Sequence, residues 1–503
     1  MTGERATDWL GKRAQLSPGR VAIEEVDSGN ETTYWDWNQQ VNQTAHFLDS
    51  CGLGKGDLVS TLASNSKEYI DLFFACTKTG TVLHNLNWRL SVHELIEIMR
   101  EAQSNILFYS SDWQNQAHAL QSEFPELRLV LLSKNGDKDV SSFGHRETMP
   151  KEYDQKPIKL SDPWGIYYTG GTTGTPKGAI LTHGNMFWNS VNTITSWNMC
   201  HEDVAPLQLP FFHVGGPNIF LLPLVHLGGK TLLAKEFSVD QTFDMIENGH
   251  LTHYVGVPTM YVMLQNHSRW NQADFSKLKL VISGGAPCPL PVMKKFWDRG
   301  VDFKMGYGLT EASGNNFWLP PGEAAEKIGS VGFPLFHIDM KVVDEEGRTC
   351  QANQEGQLLI RGGHVTSGYY KRPKATSEIL QDGWLHTGDI ARKDEHGYFY
   401  IMGRSKEMFI SGGENVYPAE IESALHAHPN IAEAALIAIP HPTWGEVGKA
   451  FIVKTNGAQL DENQVLEFLH ARLAKYKIPK EVVFLEALPK TAIGKLDKKQ
   501  LPV

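Results

Sequence analysis

The chain has 503 residues, too many for one hydrophobic core, so at least two domains are expected. An apolar fraction of 41% with 21% charged residues excludes extensive disorder, and a formal charge of −10 argues against a nucleic-acid partner. Five scattered cysteines without a C-x-x-C pair, a polar start at Met1–Arg5, and no run approaching the ~18 apolar residues of a membrane span point to a soluble, cytoplasmic protein.

From Thr32 to Ser133, helical periodicity alternates with short β-rich runs, as in a parallel sheet with crossover helices. Trp37, Val41, Ala45 and Leu48 share one helical face, and the turn Gly52–Asp57 leads into a strand at Leu58–Leu62. That turn precedes a strand instead of following one, and Asp57 stands where a third glycine would be needed, so it reads as a connection. A second βα-rich stretch covers Ser161 to Pro334. The turn Asp344–Gly347 and the run Gly356–Ile360 then predict short antiparallel strands in a small β-barrel. Near the end, a helix over Ala419–His428, strands over Ile431–Ile439 and Lys449–Lys454, and a helix over Glu462–Lys475 predict a small α+β unit.

The richest segment is Tyr167-Tyr168-Thr169-Gly170-Gly171-Thr172-Thr173-Gly174-Thr175-Pro176-Lys177-Gly178. Glycines without Cβ let backbone N–H groups converge on one anion, and threonine hydroxyls and a lysine add donors, so the predicted ligand is a polyphosphate. It is not the common P-loop, because Pro176 precedes Lys177 and no Ser/Thr follows it. The apolar strand Trp164–Tyr168 feeds this loop, which a plain surface turn would not need.

Four more motifs follow in order: Met305-Gly306-Tyr307-Gly308-Leu309-Thr310-Glu311, Trp384-Leu385-His386-Thr387-Gly388-Asp389, Gly403-Arg404-Ser405-Lys406-Glu407 and Pro489-Lys490-Thr491-Ala492-Ile493-Gly494-Lys495. With the loop, they make a sequence that resembles the adenylate-forming superfamily of acyl-CoA synthetases, luciferases and peptide-synthetase adenylation domains, over roughly residues 10 to 500. The resemblance implies an α/β fold. A large N-terminal domain, residues 1–403, would hold parallel βα-type sheets plus the small barrel, and a small mobile α+β domain, residues 404–503, would follow a hinge at Arg404–Lys406.

It also implies an ATP-dependent acid–CoA ligase that forms acyl-AMP and pyrophosphate, then acyl-CoA and AMP. Thr169, Gly170, Gly171, Thr172, Thr173, Gly174 and Lys177 would hold the ATP phosphates, and Glu311 with Thr169 would bind Mg2+, a cation that prefers oxygen ligands. Tyr307 would stack on adenine, with Gly285, Ala286 and Pro287 along its other face and Gly308 and Thr310 close by. Asp389 and Arg404 would meet the ribose hydroxyls. Lys495 would bridge carboxylate and phosphate oxygens during adenylation. Rotation about Lys406 would then bring Gly412 and Gly413 to a pantetheine tunnel, with Arg89, Trp444, Tyr476 and Lys480 at the CoA nucleotide; Ile478 stands where one such relative has arginine.

His213, a candidate catalytic residue, would line the acid pocket with Val214, Gly215, Gly216, Val255, Gly256, Val257, Gly284, Gly306 and Leu309. No aspartate stands by His213 to bind an amino group, which favours a plain carboxylic acid. The open glycine lining favours a medium- or long-chain fatty acid, with an aryl or cinnamoyl-type acid as the alternative. Loading of a carrier protein is an alternative to transfer to free CoA.

Overall fold

The helix expected from Trp37, Val41, Ala45 and Leu48 spans Tyr34–Ser50, and all four side chains are fully buried. Thr33 caps it by accepting the Asp36 N–H. It shares a core with Lys67–Thr79 and with residues of a seven-stranded sheet. Within that core the fully buried Asp71 carboxylate accepts from Lys67 at 2.5 Å, Arg146 at 2.6 Å and Trp37 Nε1 at 2.9 Å. Two cations and an indole thus offset the desolvation of one anion. The computed structural model describes residues 5–132, 142–169, 176–248, 250–411, 414–490 and 496–502.

The seven-stranded sheet runs in the order Gly368–Tyr369, Lys177–Thr182, Pro163–Thr169, Val82–Asn85, Leu58–Leu62, Ile106–Tyr109, Arg128–Leu131. The last five are mutually parallel, and the first two pair antiparallel at one edge. A second sheet begins with the hairpin Val21–Glu25 and Asn30–Thr33 and continues in parallel through Lys230–Leu233 to Val204–Leu207. The Thr252 N–H donates to the Val204 carbonyl at 3.0 Å and links it to the parallel trio His253–Gly256, Leu280–Ser283 and Phe303–Met305.

The small barrel is a half-barrel. Its antiparallel path runs Phe317–Trp318, Ser330–Pro334, Phe399–Arg404, Trp384–Lys393, Glu355–Arg361, Asp339–Val343, and among the described residues the two end strands do not pair with each other. The strand Phe399–Arg404 is followed by one exposed turn, Ser405–Glu407, that leads onward. The C-terminal unit packs Pro418–His426 and Glu462–His470 on a five-stranded sheet around Ile421, Leu425, Leu436, Ile452, Val465 and Leu469. Its second helix stops earlier than expected. The chain leaves it at Ala471 and turns through Lys475–Lys477 before Pro479, a residue that helix interiors reject. Among the described residues no helix is long and apolar enough to cross a membrane.

Parallel strands all leave the sheets at their C-terminal ends, and the candidate residues follow those ends: Arg89 after Val82–Asn85, His213 after Val204–Leu207, Gly284 after Leu280–Ser283 and Gly306 after Phe303–Met305. Open α/β sheets place ligand sites in this position.

Candidate active site

Thr169 and Lys177 are direct partners in the ladder between Pro163–Thr169 and Lys177–Thr182, so the ends of the glycine-threonine loop are pinned together. Thr169 Oγ1 also donates to the Lys177 carbonyl at 3.3 Å. Gly170, Gly171, Thr172, Thr173 and Gly174 lie outside the described residues. So do Gly412, Gly413 and Lys495, although the strands Phe409–Ser411 and Glu414–Val416 flank the glycine pair.

Glu311 lies on the single turn Thr310–Ala312, and its carbonyl accepts the Thr366 N–H at 2.8 Å. Its Oε1 accepts from the Tyr369 hydroxyl at 2.6 Å. Lys177 Nζ stands 5.4 Å from the same tyrosine ring, and the Thr169 hydroxyl is set against the phenol. Burial, then the Glu311 charge, push the Tyr369 hydroxyl well above the usual phenol range, so it stays a donor. Thr169, Lys177 and Glu311 therefore meet at a fourth residue, Tyr369, that the motifs did not flag.

The turn carrying Glu311 is held from below by buried polar groups. Ser313 has a φ of +56° and Gly314 of +110°, positions that need support in a non-helical turn. Asn218 Nδ2 donates to the Ser313 carbonyl at 2.8 Å, Ser313 Oγ donates to the His364 carbonyl at 2.6 Å, and His364 Nε2 bonds Asn316 Oδ1 at 3.0 Å. Asn189 ties in by donating to the Asn218 carbonyl at 2.8 Å. A Cβ on Gly308 would fall 1.5 Å from the Gly314 carbonyl oxygen, so glycine alone allows this close approach. A usable signal existed in the spacing: Asn185, Asn189 and Asn192 recur along one side of the helix His183–Trp197, and all three are buried.

At the other end, Asp389 is buried in Trp384–Lys393, directly across from Arg404, whose Nε lies 2.8 Å from Oδ1. The Tyr307 hydroxyl donates to Asp389 Oδ2, and the Tyr307 ring meets Phe317 edge-on at 5.7 Å. Burial raises the Asp389 carboxyl above its ordinary range, outweighing the opposing pull of the half-exposed Arg404. Tyr307, Asp389 and Arg404 are thus joined through one hydrogen bond and one ion pair. Gly285, Ala286 and Pro287 form an exposed loop, Gly285 with φ +79°, and a Cβ there would lie 3.6 Å from Val257.

His213 packs its ring against Phe212 at 4.5 Å, in a loop where a Cβ on Gly216 would meet the Phe211 backbone at 2.9 Å. Val214 and Val255 are buried, whereas a Cβ on Gly284 would meet nothing within 4 Å. Leu309 is half-buried, a Cβ on Gly306 would come within 2.7 Å of Ile282, one on Gly256 within 3.2 Å of Met260, and one on Gly215 within 3.6 Å of Ile219. The Arg89 guanidinium lies over Trp88 at 4.6 Å and 5.9 Å from Phe212, next to the His213 loop. In the small domain Lys480 Nζ is 5.9 Å from the Trp444 ring, and Tyr476 is partly buried against its core. Lys406 is exposed on the turn Ser405–Glu407.

The chain belongs to the AMP-binding enzyme family: the model of that family matches residues 10–370, and that of the AMP-binding enzyme C-terminal domain matches residues 420–495. It is similar to a feruloyl-CoA synthase from an Amycolatopsis species, 36% identical over 498 residues, covering 99% of this chain and 98% of the relative. An indoleacetate–CoA ligase from Aromatoleum aromaticum is 35% identical over 493 residues, covering 98% of this chain and 96% of the relative. The o-succinylbenzoate CoA synthetase from Bacillus subtilis, solved with ATP and a magnesium ion, matches with TM-score 0.87 and 29% identity over 99% of both chains. This protein is accordingly an AMP-forming acid–CoA ligase that acts through an acyl-AMP, with ATP, Mg2+ and CoA as the cofactor and cosubstrates of that class.

Proposed function

We propose that the acid is an aryl acid of the phenylpropenoic or arylacetic type, transferred to free CoA in the cytoplasm. The observation that carries this reading is the identity of 36% and 35%, over nearly the whole chain, with enzymes named for a cinnamic-type acid and an indole acid. It departs from the fatty acid that the glycine-rich lining favours. Glycines make room for a flat ring as readily as for an extended tail, and pocket composition does not separate the two. The apolar Val214, Val255 and Leu309, with Gly215, Gly216, Gly256, Gly284 and Gly306 among them, suit a ring face. His213 would border the carboxylate end, and Val257 stands beside the Gly285 loop.

Thr169 and Lys177 would hold the phosphates. The oxygen donors of Glu311 and Thr169, converging at Tyr369, fit a hard cation, and Mg2+ there would neutralise phosphoryl oxygens. Asp389 and Arg404 would take the ribose, Tyr307 and Gly285–Pro287 the adenine, and Lys495 the charge passing between carboxylate and α-phosphate. Residues 404–406 would be the hinge, with Lys406 as pivot; Gly412, Gly413, Arg89, Trp444, Tyr476 and Lys480 would then serve CoA.

The test is pyrophosphate release with ferulate, 4-coumarate, indoleacetate, octanoate and palmitate, each followed by CoA addition. Aryl acids are expected to exceed both aliphatic acids in kcat/KM by at least about tenfold, which is 1.4 kcal/mol of transition-state binding. A better rate with octanoate or palmitate would overturn the reading. Lys495→Ala is the control: it should lose acyl-AMP formation yet still convert supplied acyl-AMP and CoA.

A further inference from the structure

The Gly368–Tyr369 strand sits at the sheet edge beside Lys177–Thr182, with Tyr369 opposite Ala179. Its backbone is fixed on both sides: the Tyr369 N–H donates to Thr376 Oγ1 at 2.9 Å, and the Tyr370 N–H donates to the Gly178 carbonyl at 2.8 Å. Thr366, three residues earlier, donates its N–H to the Glu311 carbonyl at 2.8 Å and its hydroxyl to the Ile180 carbonyl at 2.6 Å. The segment 366–370 thus straps the Glu311 turn to the strand that leaves the phosphate loop. At the centre of the strap the Tyr369 hydroxyl engages Oε1 of Glu311 at 2.6 Å.

We infer that Tyr369 is a positioning residue that orients the Glu311 carboxylate, occupying Oε1 and leaving Oε2 for the divalent cation that accompanies the ATP phosphates. The inference rests on Glu311 being the metal-side carboxylate, as proposed above. A carboxylate on a one-turn helix would otherwise rotate freely, and a neutral hydroxyl donor fixes it without cancelling its charge. The ring does a second job. Lys177 Nζ lies 5.4 Å from it, so one side chain spaces the phosphate-side lysine from the metal-side carboxylate and keeps them from closing into a direct ion pair.

The experiment compares Tyr369→Phe, Tyr369→Leu and Glu311→Gln in the full-length enzyme. Mn2+ binding to the ATP-loaded protein is read by electron paramagnetic resonance, ATP binding without metal by calorimetry, and folding by thermal midpoint. Tyr369→Phe keeps the ring, so it should weaken Mn2+ about tenfold, in the 10–100-fold range for losing a ligand's hydrogen-bond partner, and leave metal-free ATP binding and the thermal midpoint unchanged. Tyr369→Leu should weaken metal-free ATP binding as well. Glu311→Gln should weaken Mn2+ at least as much as Tyr369→Phe. Unchanged Mn2+ affinity in Tyr369→Phe, with Glu311→Gln impaired, overturns the positioning role while the metal reading stands. Unchanged affinity in Glu311→Gln overturns both.

Discussion

At the proposed phosphate end, Thr169, Lys177, Glu311 and Tyr369 hang on strands and a turn of the large domain, backed by a buried set of asparagines, Ser313 and His364. At the proposed ribose end, Asp389 is buried, but the side chain of its cation, Arg404, is 53% exposed, and Arg404 is the last strand residue before the turn to the small domain. In the proposed assignment, fixed groups stand where charge would develop during adenylation, and the half-exposed contact stands beside the proposed hinge. Preorganisation matters most at the first and tolerance of motion at the second.

If that contrast is right, the largest loss comes from Glu311→Ala, which removes a fixed charge from the phosphate end. Acyl-AMP formation should slow by about 10²–10³-fold, with an unchanged thermal midpoint. A loss below tenfold in stopped-flow pyrophosphate release would erase the difference between the two ends.

Next is Gly308→Ala, which forces the Gly314 carbonyl away from a new Cβ that would otherwise lie 1.5 Å from it. A displacement of the order of 1 Å at a site-bearing turn commonly costs about 10²-fold in rate. The kcat of the purified variant at saturating acid and ATP measures it, alongside circular dichroism to confirm the fold.

A smaller effect is expected from acid. Burial lowers His84 to about 3 and His364 to about 3, from an ordinary 6.5. A histidine held neutral when folded binds its proton only after unfolding, so stability present at neutral pH is lost as pH falls below 6.5 toward 3. Each such group contributes up to about 1.4 kcal/mol per pH unit, so urea denaturation at pH 7.0 and 5.5 should show a lower midpoint at 5.5.

The smallest effect belongs to Arg404→Ala. An ion pair with one half-exposed partner is worth about 0.2–1 kcal/mol after solvent screening, so KM for ATP should rise less than about sixfold, with kcat nearly constant. A fall in kcat comparable to that of Glu311→Ala would show that the ribose end is as preorganised as the phosphate end.

Much of this was legible in the residues. The buried helix face of Trp37, Val41, Ala45 and Leu48 followed from its period, and the strand Pro163–Thr169 from its apolar run into a glycine-threonine loop. The half-barrel was legible as short strands with tight turns, but not its openness, because whether two end strands meet depends on curvature summed over the whole sheet. The acid was the weakest reading, since glycines record space and not the shape that fills it.

Chemistry that must recur at fixed spacing wrote itself into the chain: phosphates call for glycine, threonine and lysine in one loop, and a hard cation calls for a carboxylate on a nearby turn. Tyr369 carried no such mark. Its role depends on a hydrogen bond spanning 58 positions and on a lysine 192 positions earlier in the chain. The same holds for Asn218, which reaches across 95 positions to Ser313. A side chain that acts by holding another has no preferred spacing along the chain, because the strands and turns that bring the two together fold independently of the distance in sequence, and only their packing in three dimensions assigns the partner.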